Sequence, residues 1–502
     1  MSHFTWWDGS IVGVYLLITM IAGVAVRKYV GKVEHFLVAG REMNLYLGIA
    51  SLAATEFGIV TCMYAAQCGY DRGFAGATPG ILFALAMWFV GYTGFCIKPL
   101  RDSGVMTIPE LLDKRFGPRI RWMSGVVIVL GGLLNMGVFL RTGGDFLVQV
   151  CGLQCADMSL AHGFLQTHYL EITMTVLLLG VAIYTILGGM LSVLVTDYLQ
   201  FIVMSAGLII VTALILVRVG WTALTGAVST HYGAGGFNPF VHPQMGWPFI
   251  VFMAFTQLAA VLTWQTTIAR VLAAKDTQTG RKVYTATSFF FVCRFLIPGI
   301  WGIAALATLS PAIVGDNTLL AMPKFLSTFV PVGLMGLVVA AMLAADMSTD
   351  SSYMLTWSAV IYNDIMAPFR KTPWSEKKGL LVNRMIVGII GIFLLVYGLW
   401  YPLKGNLWDY ISITGAIYLS SISILLIACC YWKRANSWGA AGAIIIGAAI
   451  PVAYLVLEQL PATQHLAKDV IGPYYSGIAT FVLAGLAMIV GSLLKPYTKK
   501  TI

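Results

Sequence analysis

Apolar segments long enough to cross a bilayer recur along the whole 502-residue sequence. A membrane-spanning α-helix needs about 20 consecutive apolar residues, and only helices and closed barrels satisfy the backbone in lipid. The sequence predicts thirteen transmembrane helices, near 8–27, 45–70, 78–100, 123–151, 171–188, 190–218, 247–270, 285–310, 331–362, 385–402, 407–432, 437–458 and 472–494. Residues 1–502 are therefore predicted to form a single all-α, polytopic membrane domain.

The composition and the charge pattern support a membrane protein. Only 10% of the residues are charged, whereas soluble domains carry about 25%. The formal charge of +10 does not indicate nucleic-acid binding, because most of the 31 Lys and Arg residues fall in alternate connections between spans. By the positive-inside rule, this asymmetry predicts an outside N-terminus and a cytoplasmic C-terminus. The protein is predicted to lie in the lipid bilayer of the plasma (inner) membrane.

The segment 343–355, LAADMSTDSSYML, is very polar for a membrane span. An aspartate at a bilayer centre costs roughly 2.5–3.5 kcal/mol, and this segment carries Asp346 and Asp350. One helical face, at i, i+3, i+4 and i+7, consists of small and hydroxyl residues: Ala345, Ser348, Thr349 and Ser352. Their oxygens suit a hard, partly dehydrated cation. Bonding of the hydroxyls to their own helix is the alternative, but the density of polar groups favours an ion site.

A further acidic residue lies at mid-depth of the span 45–70. Glu56 is surrounded by small residues, namely Ala54, Thr55, Gly58 and Thr61. This composition predicts a helix that is interrupted near the membrane midplane, where freed backbone carbonyls coordinate ions. The alternative is that Glu56 pairs with a buried arginine for structural reasons.

Arg141, Asp145 and Asp197 are charged candidates within other predicted spans. Arg141 and Asp145 are four residues apart in 123–151. They either neutralise each other, or Arg141 holds a substrate carboxylate. Asp197 lies toward one end of 190–218, where it is either a functional acid or an interfacial one.

The span 247–270 carries a group of uncharged polar and amphipathic residues: Gln257, Thr263, Trp264 and Gln265. Side chains of this kind line small-molecule pockets, and they are equally compatible with hydrogen bonds between helices. The aromatic face of Trp264 would attract a cationic group. Together with a carboxylate bound by Arg141, this favours an amino acid or another zwitterion as the solute.

No sequence motif predicts an enzyme. The sequence has no GxSxG, no Walker A loop and no HExxH or similar metal-ligand spacing, which are the patterns that hydrolases, nucleotide-driven proteins and metalloenzymes use. No cofactor is predicted. Without a nucleotide-binding loop, the energy for transport must come from an ion gradient.

Five short motifs resemble one family, the sodium:solute symporters, and they occur in the family order. They are EHFLVAGR at 34–41, TIPELLDKRFG at 107–117, GGMLSVLVTDYLQ at 188–200, ARVLAAKD at 269–276 and YWKRANSWGA at 431–440. Each is modest alone, but together they are specific.

The resemblance implies a leucine-transporter-type fold. Two inverted five-helix repeats would occupy 45–218 and 247–432, after a leading helix at 8–27 and before two C-terminal helices within 437–494. The first helix of each repeat would be interrupted. The solute would bind between these two helices at mid-depth.

The resemblance also implies ion ligands. One Na⁺ would be held by five oxygens. Three are the backbone carbonyl oxygens of Ala54, Phe57 and Ala345, and two are the side-chain hydroxyls of Ser348 and Thr349. A second Na⁺, which some members bind, would be held by Asp197, Ser348, Ser351 and Ser352. Proline-type members carry an acid at the position of Glu56, so Glu56 is expected to support the ion site, as are Asp346 and Asp350.

The predicted function is therefore a Na⁺-coupled symporter that imports a small organic solute and works as a monomer. Sugar-binding members use glutamine where this chain has Thr61, which favours an amino acid, another zwitterion or an organic acid over a sugar. The substrate candidates are Thr61, Arg141, Gln257, Trp264 and Gln265. Because Asp346 is an acid where the family usually has an apolar or small residue, a proton-coupled symporter on the same fold is the first alternative. A non-transporting sensor or a channel is the second.

Overall fold

The structure is a computed structural model that describes residues 3–153, 168–370, 372, 374–401 and 406–495, and helices dominate it. The helices used below are α1 (Trp6–Ala25), α2 (Leu45–Thr55), α3 (Ile59–Arg72), α4 (Thr78–Thr93), α5 (Pro118–Met136), α6 (Phe139–Cys151), α7 (Tyr169–Arg218), α8 (Gly246–Thr263), α9 (Gln265–Ala273), α10 (Thr277–Thr308), α11 (Leu334–Val360), α12 (Glu376–Trp400), α13 (Leu407–Tyr431), α14 (Ser437–Gln459) and α15 (Pro473–Leu494). Shorter helices connect them at Val33–Val38, Ile97–Asp102, Ile108–Phe116, Trp221–Tyr232 and Ala321–Phe329. The all-α, polytopic class is confirmed.

Eleven helical segments of the described chain are long and apolar enough to cross a membrane. The predicted count of thirteen is not confirmed, because the segment Ile59–Thr93 joins the second part of the predicted span 45–70 to 78–100, and the segment Tyr169–Arg218 joins 171–188 to 190–218. In α7 the two spans are joined through a kink at Gly189, with φ 55° and ψ −146°. A Cβ atom there would lie 2.5 Å from the Phe36 ring, so both the backbone angle and the packing require glycine.

Two spans are interrupted at mid-helix, as predicted. α2 ends at Thr55 and α3 begins at Ile59, with Gly58 in an extended conformation between them. In the other span, α8 and α9 are separated at Trp264, whose ψ of 117° breaks the helical path. Each break leaves carbonyl groups without their usual partners in the same helix.

The helix α11 lies at the centre of the molecule, and nearly all of its residues are buried. It packs against α7, α1 and α2. Its first turn is held by Asp8 of α1, whose Oδ1 accepts hydrogen bonds from the backbone N–H groups of Gly333 (2.8 Å) and Gly336 (2.6 Å). A buried carboxylate at this place satisfies donors that a helix start leaves free. The leading helix thereby fixes the position of the helix that carries the predicted ion ligands.

Candidate functional site

The two segments that carry the predicted ligands of the first Na⁺ meet in the structure. The Thr349 hydroxyl of α11 lies 2.8 Å from the Thr55 carbonyl oxygen, at the break between α2 and α3, and 3.0 Å from the Ala345 carbonyl. The approach is possible because Gly58 lacks a side chain: a Cβ atom there would lie 2.6 Å from the Thr349 hydroxyl oxygen. Both segments are buried.

The donor set at this junction fits a sodium ion. At the break the Ala54 carbonyl accepts a hydrogen bond from the Phe57 N–H at 3.3 Å, which leaves its second lone pair for a cation, and the facing turn of α11 adds the hydroxyls of Ser348 and Thr349. The Ser348 hydroxyl donates its hydrogen to Asp197 at 2.5 Å, and that of Thr349 is directed at carbonyl oxygens. Their lone pairs therefore stay available as neutral oxygen ligands, which hard cations prefer.

The residues predicted to hold a second Na⁺ also lie together, but around an arginine. Asp197 of α7 accepts hydrogen bonds from Ser348 and Ser51, both at 2.5 Å. The Arg270 guanidinium lies 3.0 Å from the same carboxylate and 2.6 Å from the Ser352 hydroxyl. Asp197 and Arg270 are both fully buried, so the interpretation of Asp197 as an interfacial acid is wrong.

Glu56 joins the two interrupted spans. Its Oε1 accepts hydrogen bonds from Thr266 (2.6 Å) and Thr267 (3.1 Å) of α9. Its Oε2 lies 3.4 Å from a guanidinium nitrogen of Arg294 in α10. Pairing with a buried arginine, which was the alternative interpretation of Glu56, is therefore present, and it lies next to the ion junction.

A cavity lies between the two breaks and is lined by residues from both of them. Three of the substrate candidates, Thr61, Gln257 and Trp264, line it, as do Thr55, Glu56 and Thr349 of the ion junction. Several lining residues have buried polar atoms without a hydrogen-bond partner among the described residues: Asn135 Oδ1, Thr256 Oγ1, Arg294 Nε, Trp408 Nε1 and Ser412 Oγ. A bound polar solute would provide such partners.

Arg294 is the basic side chain among the described residues that line this cavity. Its guanidinium donates hydrogen bonds to the Tyr64 hydroxyl (2.7 Å) and to Thr61 (3.2 Å), and it lies over the Phe291 ring. Sequence reasoning did not select it, although an arginine inside a predicted span was the available signal.

Two substrate candidates lie elsewhere. Arg141 pairs with Asp145 at 3.2 Å and donates to the Gly398 carbonyl, and it is not among the residues that line the cavity. The contact agrees with the interpretation that Arg141 and Asp145 neutralise each other. Gln265 donates to the Thr263 carbonyl and lines a separate, smaller pocket with Thr356.

Asp346 and Asp350 are buried on α11, each 2% exposed. Asp346 faces Gly143 of α6, where a Cβ atom would lie 3.1 Å from its carboxylate. Asp346 Oδ2 and Asp350 Oδ1 have no hydrogen-bond partner among the described residues, and no ion pair to either acid is found in that part of the chain. They do not join the cluster around Arg270.

Comparisons with known proteins agree on one family. The sequence profile of the Sodium:solute symporter family matches residues 36–447. Sodium/glucose cotransporter 4 of Danio rerio is 27% identical, over 96% of this chain and 78% of that protein. The osmoregulated proline transporter OpuE of Bacillus subtilis is 23% identical, over 96% of this chain and 94% of that protein.

A solved structure gives the same fold. A Na⁺-coupled sialic acid symporter in a substrate-bound outward-open state superposes with a TM-score of 0.81, covering 99% of this chain and 100% of that chain. The identity is 18%, so the likeness shows the shared fold and not a shared solute.

Proposed function

This chain belongs to the sodium:solute symporter family, and the relatives described above are named as a cotransporter and a transporter. We propose that it imports a small solute bearing a carboxylate together with Na⁺. An amino acid, another zwitterion or an organic acid would meet this description. The Na⁺ would bind at the junction of the α2–α3 break with α11. The solute would bind in the adjacent cavity.

The observation that carries the carboxylate proposal is the Arg294 guanidinium in the cavity. Its Nε is buried and has no partner among the described residues, and its contact with Glu56 is long, at 3.4 Å. A guanidinium presents a planar fork that binds a carboxylate with two parallel hydrogen bonds. A solute carboxylate would therefore supply the acceptor that Arg294 lacks. Glu56 on the same wall would favour an amine on the same solute.

The shared walls of the two sites provide the coupling. Thr55, Glu56 and Thr349 line the cavity, and the same short stretch supplies the predicted Na⁺ ligands. A cation that fixes the α2–α3 break would therefore also fix one wall of the solute site. By linkage, each ligand then raises the affinity for the other. An inward membrane potential of 100 mV adds about 2.3 kcal/mol for each charge moved fully across.

The protein is proposed to lie in the plasma (inner) membrane. Its N-terminus would be outside the cell and its C-terminus in the cytoplasm. The positive-inside pattern supports it. In this orientation α3 runs outward from the break, and Arg72 at its end meets Asp409 of α13 at 3.4 Å. We treat the protein as a monomer.

A proton is the second candidate for the coupling ion. The buried carboxylates of Asp346 and Asp350, without a cationic partner in the described residues, support this alternative. Buried charges are costly unless they are paired, and a proton neutralises a carboxylate as a cation does. Solute uptake that persists without Na⁺ and stops when the pH gradient is removed would establish it.

Sugars are the second candidate for the solute class, because several relatives are named for glucose, mannose or myo-inositol. A thermal-shift screen of amino acids, betaines, organic acids and sugars, each with Na⁺ and with choline instead, separates the classes. The expected result is stabilisation by carboxylates that requires Na⁺. Stabilisation by sugars alone would contradict the carboxylate proposal. Counterflow of the best solute in proteoliposomes then distinguishes a carrier from a channel or a sensor.

A further inference from the structure

The cluster that would hold a second Na⁺ is organised around the Arg270 side chain. Arg270 Nη2 contacts three oxygens, those of Thr55 Oγ1 (2.5 Å), Ser352 Oγ (2.6 Å) and Asp197 Oδ2 (3.0 Å). Its Nε donates to Ser51 Oγ at 3.1 Å. Four oxygens from α2, α7 and α11 therefore converge on one guanidinium from α9, and all of these side chains are fully buried.

The remaining oxygens of the cluster are also engaged. Asp197 Oδ1 accepts from the Ser348 hydroxyl at 2.5 Å. The Ser351 hydroxyl, one of the four predicted ligands, donates to the Ser348 carbonyl at 3.1 Å within its own helix. The cluster thus contains one carboxylate and one guanidinium, and its charge is balanced. A sodium ion placed here would have to compete with a fixed positive group for the same oxygens, in a buried setting where like charges repel strongly.

The first junction differs in this respect. Its predicted ligands are neutral carbonyl and hydroxyl oxygens at a helix break, and Thr349 directs its hydroxyl hydrogen at carbonyl oxygens. The residues of the first junction fit Na⁺, and those of the second do not fit it while Arg270 holds this position.

We propose that the Arg270 guanidinium takes the place of the second cation, so that the protein binds one Na⁺ and not two. This inference rests on the proposed function, because it concerns the ion stoichiometry of the same transporter. The tethered cation ties α9 to α2, α7 and α11 without being transported. Each solute would then be driven by a single Na⁺.

The test counts Na⁺ ions with radioactive sodium on purified full-length protein in detergent, without solute. The expected result is one ion per chain for the native protein and for Arg270→Lys, which keeps the charge. Arg270→Ala frees the Asp197 carboxylate and should bind two. Arg270→Ala with Asp197→Ala should bind one again. Arg121→Ala removes an arginine whose partners are Asp113 and Asp364 instead, and it should bind one.

Two results would overturn the inference: two ions bound by the native protein, or one ion bound by an Arg270→Ala protein that is monodisperse in gel filtration. If Arg270→Ala does not fold, the native count and the Arg270→Lys count still decide. No Na⁺ bound by the native protein would instead contradict the proposed function, so the two failures are distinguishable.

Discussion

Gly58 and Thr349 approach each other so closely that a Cβ atom on Gly58 would lie 2.6 Å from the Thr349 hydroxyl oxygen. Gly58 directly precedes α3 at the break, and Thr349 lies on the central helix α11. The absence of a side chain at Gly58 therefore allows the Thr349 hydroxyl to reach the Thr55 carbonyl oxygen, 2.8 Å away across the break. The proposed Na⁺ site depends on this contact more than on any single ligand.

The first prediction is that Gly58→Ala weakens Na⁺ binding. The added methyl group must push α11 away from the break, and overpacking of this kind costs about 1–3 kcal/mol. Each 1.4 kcal/mol lost from Na⁺ binding raises the half-saturating concentration about tenfold. The half-saturating Na⁺ concentration is measured from the Na⁺-dependent rise in melting temperature. Gly180→Ala on α7 is the matched control, because a Cβ atom there meets nothing within 4 Å. Equal Na⁺ affinity in the two variants would contradict the site.

The second prediction concerns the Thr349 hydroxyl itself. Thr349→Val keeps the shape of the side chain and removes the oxygen, so the half-saturating Na⁺ concentration should rise at least about tenfold, corresponding to 1.4 kcal/mol. Ser358→Ala on the same buried helix is the control, since that hydroxyl only donates to the Leu355 carbonyl. Na⁺ titration of solute uptake into proteoliposomes gives the measurement. An unchanged titration for Thr349→Val would remove this residue from the ligand set.

The sequence could predict the helix break, which depends on neighbouring residues, and, through the family resemblance, one contact between distant segments. A break at Glu56 follows from small residues around a buried acid, and the meeting of 54–57 with 345–352 follows from the family resemblance. The partners of the buried charges could not be predicted, because Glu56 and Arg294 are separated by 238 positions and only the packing of α3 against α10 brings them together. The burial of Arg270 could not be predicted either, because this residue ends the predicted span 247–270 and hydropathy does not show that a short helix after a break places a charge in the interior.

The predicted count of thirteen spans is not confirmed for a related reason. Hydropathy registers the apolar lengths 171–188 and 190–218 as two segments, but it cannot distinguish a turn from a kink. In the structure the helical path of α7 is interrupted at Gly189, whose positive φ separates a helical length that matches 171–188 from one that matches 190–218. The motif GGMLSVLVTDYLQ contains this glycine. The family resemblance therefore includes Gly189, but the motif does not show its backbone conformation.

The third prediction separates two arginines. Arg294→Gln should abolish stabilisation by carboxylate solutes while Na⁺ binding remains measurable, because Arg294 lines the cavity. Arg141→Gln should leave solute affinity within about twofold, or roughly 0.4 kcal/mol, since Arg141 is paired with Asp145 and lies outside that lining. Solute-dependent thermal shifts at saturating Na⁺ compare the two. The reverse ranking would restore Arg141 as the carboxylate-binding residue.

The fourth prediction concerns the leading helix. Asp8→Ala leaves the N–H groups of Gly333 and Gly336 without their acceptor, and hydrogen bonds to charged groups contribute about 1.5–3 kcal/mol. The variant should melt at a lower temperature and show weaker Na⁺ stabilisation, because α11 loses its anchor. Asp316→Ala, at an exposed residue, should melt like the native protein. A native melting curve for Asp8→Ala would show that α1 does not position α11.

The last prediction is that Glu56 and Arg294 depend on each other. Removing one partner of a buried ion pair costs about 3–5 kcal/mol, because the other charge is left uncompensated. Glu56→Gln and Arg294→Gln should therefore each destabilise the protein in detergent without solute. The double variant removes both charges, so its loss should be smaller than the sum of the single losses by about 0.5–3 kcal/mol. Additive losses in melting experiments would mean that the 3.4 Å contact is not an energetic pair. Glu56 would then act only through Thr266 and Thr267, to which it is hydrogen-bonded.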